Sequence, residues 1–420
     1  MSYLADQCDY CCGPAHLALE AAGEARSAGV TMVSVPLIVV GAGPYGLAVA
    51  AYARRVGIET IVLGEPMSFW RDHMPRGMLL RSGVDWHLDA VGVHTMEAYL
   101  AERGVQPVDV DPIPVELFVD YADWFQARSG VEVRPDMAAG VKRCGDGFTV
   151  DLVGGGRLSG DSVVVAPGIN HFAAIPRQVV AQLPPDRYSH TCFLTEFDRA
   201  RDARTLIIGG RQSAFEWAAL LADGGVEAVH VVYRHATPAF ATSDWHFVDS
   251  MIEQTISVPG WFRRLSKEER AVVSNRFWAE GRLKLEPWLP PRMPVNVVHR
   301  HPRSEVRSCT ELSSGEIRVV LSTGDTLTVD HVVLATGYRA NVGAVPYLTD
   351  LADVRISEGF PELDEYMQSS IPGLFFTGFV ATRDFGPFFG FVRACPAAAR
   401  IVVAALQARS YQQSSTASSG

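Results

Sequence analysis

Two short stretches of this 420-residue chain carry the residue types and spacing needed to handle a dinucleotide. "GAGPYG" sets Gly41, Gly43 and Gly46 in G-x-G-x-x-G spacing, between an apolar run and the helix-forming "LAVAAYARR". The first glycine permits the tight turn, the second lets backbone approach a pyrophosphate, and the third lets helix and strand pack closely. Pro44 and Tyr45 open the helix, whose free N–H groups and partial positive charge face the phosphates. The next strand ends at Glu65, where a carboxylate can hold both ribose hydroxyls. The second stretch, "GGRQSA", keeps Gly209 and Gly210 and continues through Gln212 and Ser213 to Ala214. Arg211 takes the place of close phosphate approach. A side chain there would crowd a permanently held pyrophosphate, yet a guanidinium can pair with phosphate from the rim, which suits a dinucleotide that exchanges. The strand that follows ends "VVYRH", and Arg234 stands where a site for a free 2′-hydroxyl would carry Asp or Glu. A 2′-phosphate partner, and so NADPH, is expected. A unit kept only for packing is the alternative.

Both turns sit in strand-turn-helix-strand units. The layout predicts an α/β protein with two dinucleotide-binding, Rossmann-like domains, the NADPH domain inserted into the first domain. Residues 1–33 form an extension with an alanine-rich helical stretch. The first domain runs over 34–200 and resumes over 326–408, with the NADPH domain at 201–325 between them. "VELFVDYADWFQARSG" reads as an amphipathic helix, and the stretch from Val131 to Gly168 as short strands with glycine turns. A last helix spans about Gly390 to Leu406, and 409–420, ending "QQSSTASSG", is expected to be disordered. Residues 252–291, with Trp261, Trp278 and Trp288, read either as a lid or as an embellishment covering the nucleotide domain.

Composition narrows the partners. Hydrophobic residues make up 48% and charged residues 20% of the chain, as in an ordinary globular protein. A net charge of -10 argues against nucleic acid or an anionic membrane as partner. The longest apolar run, Pro36 to Ala53, is broken by glycine and proline and makes a poor membrane span. With no basic and apolar leader evident, a cytoplasmic location is expected. Seven cysteines, mostly scattered, read as reduced thiols. "CDYCC" places Cys8, Cys11 and Cys12 at metal or redox spacing, but no second pair with zinc spacing stands near, so no metal is expected.

Further short signatures bear on the first dinucleotide. "DHVVLATGY" resembles the second signature of two-dinucleotide flavoproteins, which puts Thr336 and Gly337 against FAD. "VVVAPG" (163–168) resembles the exit from the first half, and "GLFFTGF" (373–379) the last flavin-facing strand. Taken in this order around a second nucleotide unit, they favour FAD over NAD. "SFWRDHMPRGMLLRS" resembles the segment that crosses the flavin ring in class B flavin monooxygenases, with Trp70 and Arg71 matching its Trp-Arg pair. Arg81 and Ser82 are candidates for the flavin edge or substrate pocket. His190, in "YSHT", is assigned no role. "IGGRQSAFEWAALL", "EGRLKLEPWLPPR" and "ATRDFGPFFGFVRA" resemble a bacterial branch of single-component flavin monooxygenases that includes FAD-dependent urate hydroxylases. "SDWHF" departs from that branch, which carries a second tryptophan there.

The resemblance implies a chemistry: NADPH reduces FAD, dioxygen adds to give a C4a-peroxyflavin, and a nitrogen or an electron-rich heterocycle such as a purine takes one oxygen. Natural-product biosynthesis is a setting in which related enzymes serve. Asp384, with Phe385, Phe388 and Phe389, suits a wall over the flavin or simple core packing. Thioredoxin reductase is a remoter likeness, and it needs adjacent thiols at the flavin, where this chain offers only Cys192. A flavin reductase for another acceptor, and a non-catalytic nucleotide-responsive scaffold, are the alternatives. A small-molecule substrate, dioxygen and a homodimer are the expected partners.

Overall fold

The computed structural model describes residues 33–417. The cysteine cluster at 8–12 and the expected helical extension lie outside them. Strand β1 (Val33–Val40) is rich in β-branched residues, and its inner members are fully buried. It runs through the first glycine turn into α1 (Pro44–Arg55), which returns to β2 (Thr60–Leu63). The short helix α2 (Ser68–Asp72) and helix α3 (Met96–Glu102) lead to the amphipathic α4 (Val115–Ser129). Strands β3 (Val133–Arg134), β4 (Ala138–Cys144), β5 (Gly147–Leu152) and β6 (Arg157–Val165) complete this half.

The first sheet is ordered β3-β2-β1-β6-β5-β4. Strand β6 serves two neighbours on one side. Its early residues pair antiparallel with β5, and its last three pair parallel with the late strand Leu374–Phe376. The glycine turn therefore opens at the carboxyl ends of β1, β6 and 374–376, the position where open α/β sheets bind ligands.

After the short helix α5 (Arg177–Val180), strand β7 (Tyr188–His190) begins the second sheet. Strand β8 (Arg204–Ile208), helix α6 (Gln212–Asp223) and β9 (Ala228–Tyr233) form the second strand-turn-helix-strand unit. The sheet is parallel and ordered Val298–Pro302, β9, β8, His331–Leu334, β7. Three antiparallel strands over 306–329 pack beside it.

Two expectations are corrected here. Strand 331–334 pairs with β8 and β7, so the second unit extends from β7 through 334 rather than over 201–325. The signature after it does not reach the first sheet. Thr336 and Gly337 instead tie the outgoing and returning connectors together: Ala174 N–H donates to Gly337 O (2.9 Å), Arg339 N–H to Phe172 O (2.8 Å), and the Thr336 hydroxyl to Ala174 O. The tail expectation also fails in part. The last helix runs Cys395–Ala417, because its polar end continues the helical ladder started by the buried alanine-rich face on α1.

The stretch 252–291 holds helices Asp249–Ser257, Trp261–Arg264 and Lys267–Arg282. They pack on residues 382–391 and the last helix, so they bridge to the first unit rather than cap the second sheet. A full capping box, Ser266 with Glu269, starts the longest of them. No helix among the described residues is long and apolar enough to cross a membrane.

Candidate functional site: two dinucleotide turns and a cavity

The first turn lines a cavity of about 330 Å3. Gly41 adopts φ +111°, and a Cβ built there would lie 2.1 Å from Ala166 O. A Cβ on Gly46 would lie 1.8 Å from Gly41 O. Both positions are closed to any side chain. At Gly43 a Cβ meets nothing within 4 Å, because that face opens on the cavity. Backbone left bare beside empty space, at a helix N-terminus, is the cradle a pyrophosphate needs. Pro44, Tyr45, Glu65, Trp70 and Ser82 also line the cavity. The buried Thr377 hydroxyl, at the end of strand 374–376, faces it without a hydrogen-bond partner in the protein. That orphan oxygen and the Gly43 opening fit FAD.

Several neighbours hold the walls. Trp70 packs on Phe118 of α4, with ring centroids 4.5 Å apart. The Tyr45 hydroxyl donates to Phe389 O and Phe391 O (2.8 Å to the latter), and burial holds its phenol well above the ordinary tyrosine range, so it stays a neutral donor. This bond brings Gly390, Phe391 and Val392 to the cavity. The expected wall residues Phe385, Phe388 and Phe389 are buried behind it as core. Asn170, His171 and Tyr347, which sequence reasoning missed, line the opposite side. Burial lowers the His171 pKa, which favours a neutral imidazole. The signal for Asn170 and His171 was their place directly after the "VVVAPG" exit.

Other expected residues lie elsewhere. Arg71 is held on α4 by Asp123 (2.6 Å) and accepts no cavity role. Arg81 lies behind the cavity, bonded to Glu286 (2.6 Å), Gly281 O and the Ser243 hydroxyl. Asp384 accepts from Leu363 N–H (3.0 Å) and braces a loop. Thr336 and Gly337 are in the connector pair described above.

The second turn keeps the same design with different chemistry. Gly209 adopts φ +147°, where a Cβ would lie 2.3 Å from Ala335 O, and one on Gly210 would strike Tyr233. Arg211 does not fill the turn. Its guanidinium swings onto the indole of Trp278 (5.0 Å to the centroid) and donates to Arg282 O (2.6 Å). Arg282 stacks on the same indole at 5.0 Å. Burial, then repulsion from Arg282, lowers the Arg211 pKa. Neither arginine has a carboxylate partner among the described residues. Two unneutralised guanidiniums at a helix N-terminus make an anion site. Gln212 and Ser213 begin that helix, and Arg234 is exposed at the end of β9 with no ion pair among the described residues. Arg303, at the end of the adjoining strand, is likewise exposed and unpaired. Arg282 and Arg303 were not found from sequence, since both come from segments distant from the turn.

Residues 38–258 and 288–408 each match a family model described as pyridine nucleotide-disulphide oxidoreductase. The chain belongs to that family. Its fold is that of the class B flavin monooxygenases, a fold shared by bacillithiol disulfide reductases, and the curated relatives it matches include monooxygenases. The structure of the Kutzneria sp. 744 ornithine N-hydroxylase KtzI, with reduced FAD, NADP+ and L-ornithine, superposes with a TM-score of 0.75 at 17% identity, covering 90% of this chain and 100% of that one. An FAD-dependent urate hydroxylase from Xanthomonas campestris pv. campestris is 26% identical over 224 residues, or 48% of this chain and 45% of that protein. The match thus spans under half of that relative. An indole-3-pyruvate monooxygenase from Oryza sativa subsp. japonica is 25% identical over 363 residues, 78% of this chain and 82% of that one. The described cysteines, Cys144, Cys192, Cys309 and Cys395, are all free, and none lines the cavity.

Proposed function

We propose that this protein is an NADPH-dependent FAD monooxygenase that oxygenates a small molecule at a nitrogen or on an electron-rich heterocycle such as a purine. One observation carries the reading: a glycine turn opening on an apolar-walled cavity is joined, in one chain, to a second turn rimmed by unneutralised arginines. FAD, when bound, supplies two-electron chemistry with the nicotinamide and activation of dioxygen. The residues supply the rest. Gly41 to Gly46 cradle its pyrophosphate, Glu65 holds ribose hydroxyls, and Trp70, Phe379 and Phe391 keep water from the ring. Ser82 offers the cavity a hydroxyl. Arg211 and Arg282 receive the pyrophosphate of NADPH, with Arg234 and Arg303 at its 2′-phosphate.

The urate, indole-3-pyruvate and ornithine relatives act on nitrogen-bearing substrates by their names, which supports that class without choosing among its members. A substrate screen that scores NADPH consumption against hydrogen peroxide release tests the reading. A true substrate accelerates the first and suppresses the second. Consumption that passes electrons to a quinone or another acceptor, with no oxygen incorporated from 18O2 into any product, would replace it with a reductase.

A further inference from the structure

Two buried carboxylates remain unused by this reading. Glu216, on α6, is fully buried, and Glu286 is 4% exposed. The Glu216 carboxylate and the Glu286 backbone N–H both meet Gln212, the first residue of the same helix and a member of the second turn. The Gln212 side-chain NH2 donates to Glu216 Oε2 (3.0 Å), and its carbonyl oxygen accepts from Glu286 N–H (3.2 Å). From there each carboxylate crosses to the other unit. Leu79 N–H donates to Glu216 Oε1 (3.4 Å), and Arg81 Nε donates to Glu286 Oε1 (2.6 Å). Leu79 and Arg81 belong to the segment Met74–Ser82, whose two ends both line the flavin cavity.

The bonding is chemically one-sided. Leu79 N–H, Trp288 Nε1 (3.4 Å), Arg292 Nη1 (3.3 Å) and Gln212 Nε2 all donate to Glu216. An ionised carboxylate can accept all four, and burial outweighs them and holds its pKa above the ordinary glutamate value. A glutamine at 216 has a single acceptor oxygen, so it would oppose its own NH2 to two donors. Gln212 could not rescue it by flipping its amide, because its oxygen already serves Glu286 N–H. A buried acid so committed costs stability unless every lone pair is answered.

We propose that Glu216 and Glu286 are positioning residues that couple occupancy of the second turn to the wall of the flavin cavity. The inference rests on the second turn binding NADPH. A dinucleotide ordering the first turn of α6 orders Gln212, and Gln212, through Glu216 and Glu286, fixes Leu79 and Arg81 behind the wall, in the segment that ends at Ser82. The segment with Ser82 is thereby set for the reaction only when the visiting nucleotide is present.

Amide hydrogen exchange of the FAD-loaded enzyme, with and without saturating NADP+, tests this. In the wild type NADP+ should slow exchange across residues 77–82 by about tenfold, along with the turn itself. In Glu216→Gln, NADP+ should still bind with a Kd within about threefold, since the rim arginines are untouched, and slowing at 77–82 should drop below about twofold. Glu286→Ala removes the acceptor of Arg81, severs the other route and should lose part of the effect, which keeps the proposal open to refutation if the first variant folds poorly. Trp288→Phe removes a donor without cutting either route and should behave as wild type. Unchanged slowing at 77–82 in both acid variants, or equal loss in Trp288→Phe, overturns the coupling. A wild type that does not bind NADP+ at all overturns the nucleotide assignment instead, and the coupling with it.

Discussion

Alanine placed at each glycine of the first turn should separate folding from cofactor binding. At Gly46 the new Cβ would sit 1.8 Å from Gly41 O, and at Gly41 it would sit 2.1 Å from Ala166 O. These oxygens lie just past the ends of two strands, where Gly41 N–H bonds Leu63 O and Ala166 N–H bonds Val40 O, and cannot retreat by more than an ångström without breaking those bonds. Overpacking of this kind costs about 1–3 kcal/mol or more, and φ +111° at Gly41 adds about 1–3 kcal/mol of strain. Both apoproteins should therefore melt well below the wild type. Gly43→Ala is different, because its Cβ meets nothing within 4 Å. The apoprotein should melt as wild type does. The methyl group occupies space needed by the pyrophosphate, and a steric displacement of about 1–3 kcal/mol weakens FAD about 5- to 150-fold. Circular dichroism melting of flavin-free protein, followed by fluorescence titration with FAD, reads both quantities. Wild-type FAD affinity in Gly43→Ala would refute the placement of the pyrophosphate. Equal destabilisation of all three apoproteins would refute the cavity geometry.

Three further outcomes are expected. Arg234→Ala should raise KM for NADPH by about 10- to 150-fold, the worth of one charge-assisted hydrogen bond to phosphate, while leaving NADH kinetics unchanged in steady-state assays. The His230 imidazole, held down by burial and by His301 and His299, has its pKa lowered from 6.5 to about 4. The unfolded chain takes up that proton first, so stability is full above pH 6.5 and falls as pH drops from there towards 4; melting temperatures of His230→Gln should show a shallower decline over that window. Among the described cysteines only Cys144 is exposed, and burial raises the thiol pKa of Cys192, Cys309 and Cys395. Mass spectrometry after brief alkylation of the native protein should find Cys144 modified and the other three intact.

Local spacing carried much of the site. The three glycines and Glu65 are separated by fixed short distances along β1, α1 and β2, so their expected roles follow from turn geometry, whereas Trp70 was expected only from the family resemblance. Arg211 was harder. Its type and position were legible, but its direction depends on Trp278 and Arg282, some 70 residues away on an insertion helix. Thr336 and Gly337 were misplaced for a related reason. A strand ending in Ala-Thr-Gly reads alike whichever sheet it joins, and only pairing with β8 and β7 decides. Arg81 looked like a pocket residue because it adjoins Ser82. The chain bends at Arg81 and the two side chains part, one to the cavity and one to Glu286. The polar tail misled because composition reports solubility, whereas the helix there is continued from a packed beginning.

The stitching of residues 172–174 to 336–339 has a mechanical consequence. Two free tethers would let the inserted unit splay, twist and slide, but a hydrogen-bonded ribbon resists shear and flexes most easily about a single line. That line runs beside Asn170 and His171, at the edge of the cavity.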